Sequence, residues 1–419
     1  MTPTTTPAQL PASPEIRVLT RTDEVAAAAA VFRTAMVGLP IPSFGPDPGP
    51  FIEPGRSLGA FDADGQLVGG ADAYTSWLTV PGGARVPHGA VTHVGVLPTH
   101  TRRGIVTALI TRQLHDLAAR GEVVASLRAS EAVIYERFGY GIATWAADYE
   151  LDRRHGALRP AVGGAASAGT SQVRLADPAA SGKLLAEIYR QAAWTGAIDR
   201  PRYWWNLRRH IAEAGSGQRY LAVHGPEGGE DGYVSYHPVD TERWFGGQSR
   251  TVVVDDFIAH SQRAYLALVR YLATLDLIDV VRLPGRPADD PLPQLFADVR
   301  AVRVSGVRDE TWLRLVDVEA ALRARGYGPH AEPAVIWVTD RLLPANSGGY
   351  RVAADGVRRS DEDPGIELDV AALASAYLGA TRFSTLALAG RATERRPGAL
   401  AAADELFAVS RAPFAGTGF

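Results

Sequence analysis

Residues Arg102-Arg103-Gly104-Ile105-Val106-Thr107 stand where an apolar run, "VTHVGVLP", gives way to a helical pattern. A helix start leaves backbone N–H groups without intrahelical partners, and its dipole favours an anion there. A glycine at the turn removes the Cβ that would hold a phosphate off, and two arginines add forked donors. Together these are the parts of a pyrophosphate cradle. Spacing alone does not separate such a cradle from a solvated helix start with two surface arginines, because neither GxxxxGK[ST] nor GxGxxG is present. One strand later comes "SLRASEAVIYERFGYG": Ser130-Glu131 opens a short helix, Tyr135 lies about one turn in, and Phe138-Gly139-Tyr140-Gly141 bends the chain. A tyrosine hydroxyl there, with an ordinary pKa of about 10, can serve as a proton donor. The other reading is a tyrosine packed beside the bend.

The elements around these residues are regular. Ile105, Leu109, Ile110, Leu114 and Leu117 form one apolar helix face, and Gly121 sits where a C-terminal cap belongs. Upstream, "EIRVLT" reads as a strand and 22–37 as a helix with Asp23 and Glu24 at its start. Asp64-Gly65 between two alternating segments marks a hairpin. The order β-α-β-β-β-α-β-α predicts a mixed α/β unit with a largely antiparallel sheet over 15–155. A stretch of small residues at 153–172 suits a boundary. The next region runs hairpin, strand, helix, strand, as the first does, which points to a duplicated architecture. After "TVVVDDFIAHSQ" it has no R-R-G, and Asp255 and Asp256 would repel a pyrophosphate. Tyr203, Trp204 and Trp205 line a cleft or pack a helix. The last piece, "ELFAVSRAPFAGTGF", reads as strand-like and ends on an aromatic residue.

The combination of strand, R-R-G-x-x-T, helix, strand and I-Y-E-R-F-G-Y resembles the GNAT acyltransferase family. With the second α/β region, "YLGATRFSTLALAG" and "FAGTGF", nearly the whole chain resembles the Eis-type N-acetyltransferases, most specifically in 91–145 and 366–419. Residues 1–14, rich in Thr and Pro, read as a disordered tail. The resemblance implies an α/β (α+β) fold: two tandem GNAT-like domains at 15–155 and 156–305, the second without a cofactor loop, and a sterol-carrier-protein-like α/β domain at 306–419. It implies acetyl-CoA as co-substrate. The backbone of Val94, Gly95 and Val96 would pair with pantetheine, Arg102, Arg103, Gly104, Ile105, Val106 and Thr107 would wrap the pyrophosphate, and Ser130 and Glu131 would flank the pantetheine arm. Tyr135 would be the general acid, and the α-carboxylate of Phe419 the general base, threaded inward past Gly416 and Gly418. His93 is the alternative base, and otherwise lines the substrate pocket with Arg33 and Gly418. Two positions depart from the family loop: Thr101 replaces the usual Arg or Gln, and Val106 replaces a small residue. Acceptors in such families are cationic amines, of aminoglycoside, polyamine or lysine type. Gly418 and Arg33 make this pocket less anionic, so a smaller or less charged amine is an equal expectation. A non-catalytic acyl-CoA sensor or carrier is the competing function. The resemblance also implies a homohexamer.

Composition narrows the classes. Of 419 residues, 46% are hydrophobic and 21% charged, which suits a globular chain of two or three domains. A net charge of -3 without a basic tract offers nucleic acid no field. Cysteine is absent, which excludes disulfides, a cysteine nucleophile and thiolate metal sites. No ligands stand at metal spacing, so no metal is expected. "MTPTTTPAQLPASPE" has neither the basic start nor the apolar core of a secretory signal. "VAAAAAVFRTAMVG" is too short to span a bilayer and carries Arg33. A cytoplasmic protein without a membrane partner is expected.

Overall fold

The structure, a computed structural model, describes residues 14–38, 42–45, 47–163, 173–215 and 217–418. Its larger sheet has twelve strands in the order β1-β2-β3-β4-β5-β12-β6-β11-β10-β9-β8-β7. The first six are β1 (Glu15–Val18), β2 (Leu58–Phe61), β3 (Leu67–Thr79), β4 (Arg85–Val96), β5 (Val124–Leu127) and β6 (Gly141–Asp152). The others are β7 (Val173–Ala176), β8 (Tyr220–His224), β9 (Gly232–Val239), β10 (Thr251–Ala259), β11 (Val280–Pro287) and β12 (Val302–Leu315). Each half is an antiparallel meander that ends in one parallel pair, β4 with β5 and β10 with β11. Strands β6 and β12 exchange places between the halves. β12 pairs with β5 of the first half, while β6 pairs with β11 of the second, and the two pair with each other. The boundary expected at 305/306 therefore falls inside β12. A strand's own sequence carries no mark of which distant neighbour it will join.

Helices α1 (Thr22–Ala35) and α2 (Ile105–Ala119) cover opposite faces of β3 and β4. Side chains alternate across a strand, so Ala71 and Val96 pack with Ile105 and Leu109 of α2. On the other face Gly95 brings α1 so close that a Cβ there would stand 3.0 Å from the Phe32 Cα. The buried face of α2 includes Ile105, Leu109, Ile110, Leu114 and Leu117, the residues the periodicity selects. Beyond β5 lies the one-turn α3 (Ala132–Tyr135), and α4 (Pro160–Gly163) follows β6. The second half adds α5 (Gly182–Tyr189), α6 (Arg202–Ala214) and α7 (Gln262–Ala273).

After β12 come α8 (Val318–Ala324), β13 (Ala334–Thr339), β14 (Gly348–Ala353), β15 (Gly356–Arg359), β16 (Ile366–Asp369), α9 (Val370–Tyr377), α10 (Phe383–Leu388), β17 (Ala392–Glu394) and α11 (Ala399–Leu406). The strands form a separate sheet in the order β15-β14-β13-β16-β17. All eight residues of α9 are buried, wedged between this sheet and β6. One apolar cluster joins Ile336 and Leu373 to Leu78, Val124 and Leu313, so the last unit shares a core with the first half. Arg314 on β12 is fully buried and donates from Nη2 to both oxygens of Asp340, at 2.8 and 2.7 Å. Asp340 also accepts from Asn346 Nδ2 at 2.8 Å. No described helix is long and apolar enough to cross a membrane.

Removing one partner of a buried ion pair leaves the other charge uncompensated, at about 3–5 kcal/mol. Asp340→Ala is accordingly expected to lower unfolding free energy by that order, read as a fall in denaturant midpoint. Replacing Arg314 as well is expected to recover only the part due to the uncompensated charge, because Leu343 N and Asn346 Nδ2 still lose their acceptor.

Candidate active site

Strands β4 and β5 hold a parallel ladder at only three pairs, the last being Ala90 with Ser126. Beyond it they diverge, and the β5-facing backbone edge of Val91–Val96 has no ladder partner. Within this stretch β4 carries a bulge. Thr92 pairs with Asp72 and Gly95 with Gly70, so His93 and Val94 face Ala71 alone. His93 takes the left-handed backbone this requires, φ 51°. The strand ends at the loop that starts α2. Gly104 is the N-cap, at φ 80°, and no side chain caps the helix. Nothing lies within 4 Å of the place a Gly104 Cβ would occupy. Arg102, also at positive φ (63°), is exposed, as are Arg103 and Gly104. Ile105 is buried and Val106 half-buried, so these two bring backbone N–H groups to the notch while their side chains anchor α2. Thr107 is exposed. An uncapped helix start with open space before it and two exposed guanidiniums beside it fits a diphosphate. Ser130 and Glu131 are exposed across the divergence, ahead of α3.

Tyr135 ends α3 and is buried against Val91 and Val94 of β4 and Ile110 of α2. It therefore lies on the α2 face of the sheet. Its ring meets Tyr140 edge-on, with centroids 6.1 Å apart. Burial, and secondarily the Glu131 charge, push its hydroxyl up to about 12. No described residue hydrogen-bonds that hydroxyl. It is held as a neutral donor with its proton uncommitted.

On the α1 face, His93 Nδ1 lies 3.0 Å from Asp72 Oδ2, and both side chains are more than nine-tenths buried. Phe32 of α1 meets the imidazole edge-on at 5.0 Å, and Phe44 does so at 5.5 Å. Arg33, expected in this pocket, is half-exposed, and the α1 side chain that reaches His93 is Phe32.

The segment read as a terminal strand is not one. Residues 412–418 are extended without a ladder: Phe414 N donates to Thr195 O, and the N–H groups of Ala412, Ala415 and Gly416 go to side chains. Glu310, a bulged residue of β12 and 1% exposed, is the main clamp. Its carboxylate accepts from Ala415 N at 3.0 Å, Gly416 N at 3.2 Å, Arg128 Nη2 at 3.1 Å and Thr144 Oγ1 at 2.9 Å. Arg128, just past β5, also donates to Thr417 O at 3.0 Å. Arg200 donates to Gly416 O and Thr417 Oγ1, and is itself paired with Asp256. Trp204 Nε1 donates to Gly418 O at 2.7 Å. Thr417 is buried and Gly418 is exposed again, beside Arg128. Phe419 lies outside the described residues. Of the α6 aromatics, Trp204 thus grips the tail, while Tyr203 stacks on Tyr74 of β3 at 5.9 Å.

The second half repeats the divergence but not the opening. β10 and β11 also part after three pairs, yet Arg286 spans the gap and donates to Phe257 O at 3.0 Å. Ser261 caps α7 through its own side chain. Asp255 and Asp256, expected to repel a phosphate, are instead neutralised by Arg219 and Arg200. The plug and the cap close this half, not free negative charge.

Residues 15–143 and 196–315 each match the acetyltransferase (GNAT) domain family, and 318–416 the sterol carrier protein domain family. The chain is 36% identical over 380 residues to an uncharacterized N-acetyltransferase of Streptomyces coelicolor, covering 87% of this chain and 89% of that one. It is 34% identical over 354 residues to N-acetyltransferase Eis of Mycobacterium tuberculosis, with 82% and 83% covered. The crystal structure of Eis1 from Mycobacterium abscessus is 54% identical and superposes with a TM-score of 0.88 over 97% of this chain and 100% of that chain.

Glu310→Ala would strand the buried Ala415 N–H and the half-buried Gly416 N–H and loosen the tail. Each buried donor left unpaired costs about 1–3 kcal/mol. The expected result is faster trimming of the tail by carboxypeptidase, with the ladder at β6 and β12 still protected in hydrogen exchange.

Proposed function

The chain belongs to the Eis-type GNAT N-acetyltransferases and is an acyltransferase; from that premise we propose that it moves an acetyl group directly from acetyl-CoA to the amine of a small cationic acceptor of aminoglycoside, polyamine or lysine type. GNAT acetyltransferases use acetyl-CoA as co-substrate. The observation that carries the reading is the uncapped start of α2 behind Gly104, open at the mouth of the β4–β5 divergence. Arg102, Arg103 and the N–H groups of Ile105 to Thr107 bind the pyrophosphate. The unladdered edge of Val94 to Val96 takes the pantetheine amides and offers a donor to the carbonyl oxygen. Ser130 and Glu131 flank the arm.

Bound acetyl-CoA supplies an electrophilic thioester carbonyl. Tyr135, on the α2 face, gives its hydroxyl proton to the leaving sulfur. The α-carboxylate of Phe419 takes a proton from the amine nitrogen. The seating of Thr417 and Gly418 by Arg128 and Trp204 supports this role, since it leads the chain to the cleft. Such a carboxylate has an ordinary pKa of about 3.3–3.7, so desolvation or a water relay must assist it. Gly418 adds no acidic side chain beside the cleft, which favours small amines over highly charged ones. By resemblance, the protein acts in the cytoplasm as a homohexamer, without nucleic acid, membrane or metal. Exposed Trp145, Val304 and Val307 on β6 and β12 are surfaces a second copy would cover.

The test is thiol release with a panel of amines. Tyr135→Phe is expected to lower kcat by about 10²-fold with little change in acetyl-CoA binding. Because burial holds this hydroxyl up to about 12, its ionisation should cost the wild-type enzyme no activity across the neutral and mildly alkaline range. Gly104→Val adds roughly 1–2 kcal/mol of backbone strain and a side chain in the notch. Coenzyme A binding by calorimetry should weaken about tenfold or more. Tight binding without transfer to any amine would favour the sensor, and absence of both would refute the reading.

A further inference from the structure

We propose that His93 is a second proton acceptor of this site, taking the proton that an ammonium acceptor must lose before it attacks, with Asp72 as its positioning residue. This rests on the acetyl-transfer reading above. At neutral pH only about one in 10³ molecules of an alkylamine with a pKa near 10.4 carries a free lone pair. An imidazole is a closer match than a carboxylate for removing that proton.

The geometry supplies the acceptor. The bulge in β4 turns His93 toward the α1 face at a left-handed φ of 51°, a strained backbone for histidine. Asp72 Oδ2, 3.0 Å from Nδ1, only accepts when ionised, so Nδ1 keeps the hydrogen and Nε2 is left bare. Gln113 of α2 donates from Nε2 to the Asp72 carbonyl at 3.0 Å and fixes β3 from behind. His93 Nε2 bonds to no described residue, and it is not among the sealed, unsatisfied polar atoms of the interior. Of the elements around the imidazole, β3 contributes the charge of Asp72, while α1 and the segment at 42–45 contribute Phe32 and Phe44, which do not titrate. The nearest cation on α1 is Arg33, which follows Phe32 and is half-exposed.

His93 and Tyr135 lie on opposite faces of the sheet, with the open edge of β4 between them. One proton passes from the ammonium nitrogen to His93 Nε2 and on to water. The freed lone pair forms the C–N bond as the C–S bond breaks, and Tyr135 protonates the sulfur. The second nitrogen proton leaves through the Phe419 carboxylate and restores the tyrosine by way of solvent. The sum is an amide, a thiol and one released proton.

The experiment follows kcat/KM of wild type, His93→Gln and Asp72→Asn with one primary alkylamine from pH 7 to about pH 10, with coenzyme A calorimetry as the check on folding. The expected loss is about 10²-fold at pH 7, shrinking as pH rises and the amine arrives neutral, with coenzyme A affinity retained. Imidazole ¹⁵N NMR of the protein without acetyl-CoA should place the hydrogen on Nδ1 in wild type and disturb that preference in Asp72→Asn. A loss that is equal at every pH, no loss at all, or a hydrogen found on Nε2 overturns the proposal. If the wild type itself releases no thiol with any amine, the transfer reading falls first and this one with it. Should His93→Gln not fold, Asp72→Asn carries the same pH comparison.

Discussion

One buried carboxylate ties the molecule together. Glu310 sits on the strand that closes the first half's sheet, and its oxygens hold the last segment, the arginine beyond β5 and a threonine of β6. A buried charge is tolerable only when hydrogen bonds replace its water, and here two backbone N–H groups, a guanidinium and a hydroxyl do so. The bulge at Glu310 directs that carboxylate inward. The end of β5, β6 and the final segment therefore share one fixed point at Glu310.

The paired halves show how one architecture serves two ends. Both end in a parallel pair that parts after three rungs. In the first, no side chain caps α2 and open space lies before Gly104. In the second, Arg286 crosses the gap, Ser261 satisfies the helix start, and Arg200 with Asp256 turns the region into a seat for the tail. A strand divergence is thus a site only where nothing intramolecular claims its polar groups.

What the sequence disclosed was local. The helix start at Gly104, the α2 face, the hairpin at Asp64-Gly65 and the order of the elements follow from periodicity and turn chemistry within short windows. The exchange of β6 and β12 did not, because pairing between strands far apart in sequence leaves no local trace. Asp72 was equally hidden: strand alternation puts it on the face opposite Ala71, but only the bulge brings His93 to meet it. Glu310 and Arg314 lie in an ordinary strand pattern, and their burial depends on partners more than a hundred and on twenty-six residues away. The tail looked like a strand since extended, apolar residues do, whether a ladder or a set of side chains receives their N–H groups.

The seating of the tail has a consequence for biosynthesis. Thr417 meets Arg128 across 289 residues of chain, and β12 must reach β5 across a shorter but still long detour, from Leu127 to Trp312. A nascent chain folds from its N-terminal side, so the first half leaves the ribosome with an unsatisfied β5 edge and an empty slot beside it. Such an edge invites pairing with other chains. The surroundings of the β4–β5 divergence are therefore completed only late in translation, once β12 and the tail have emerged.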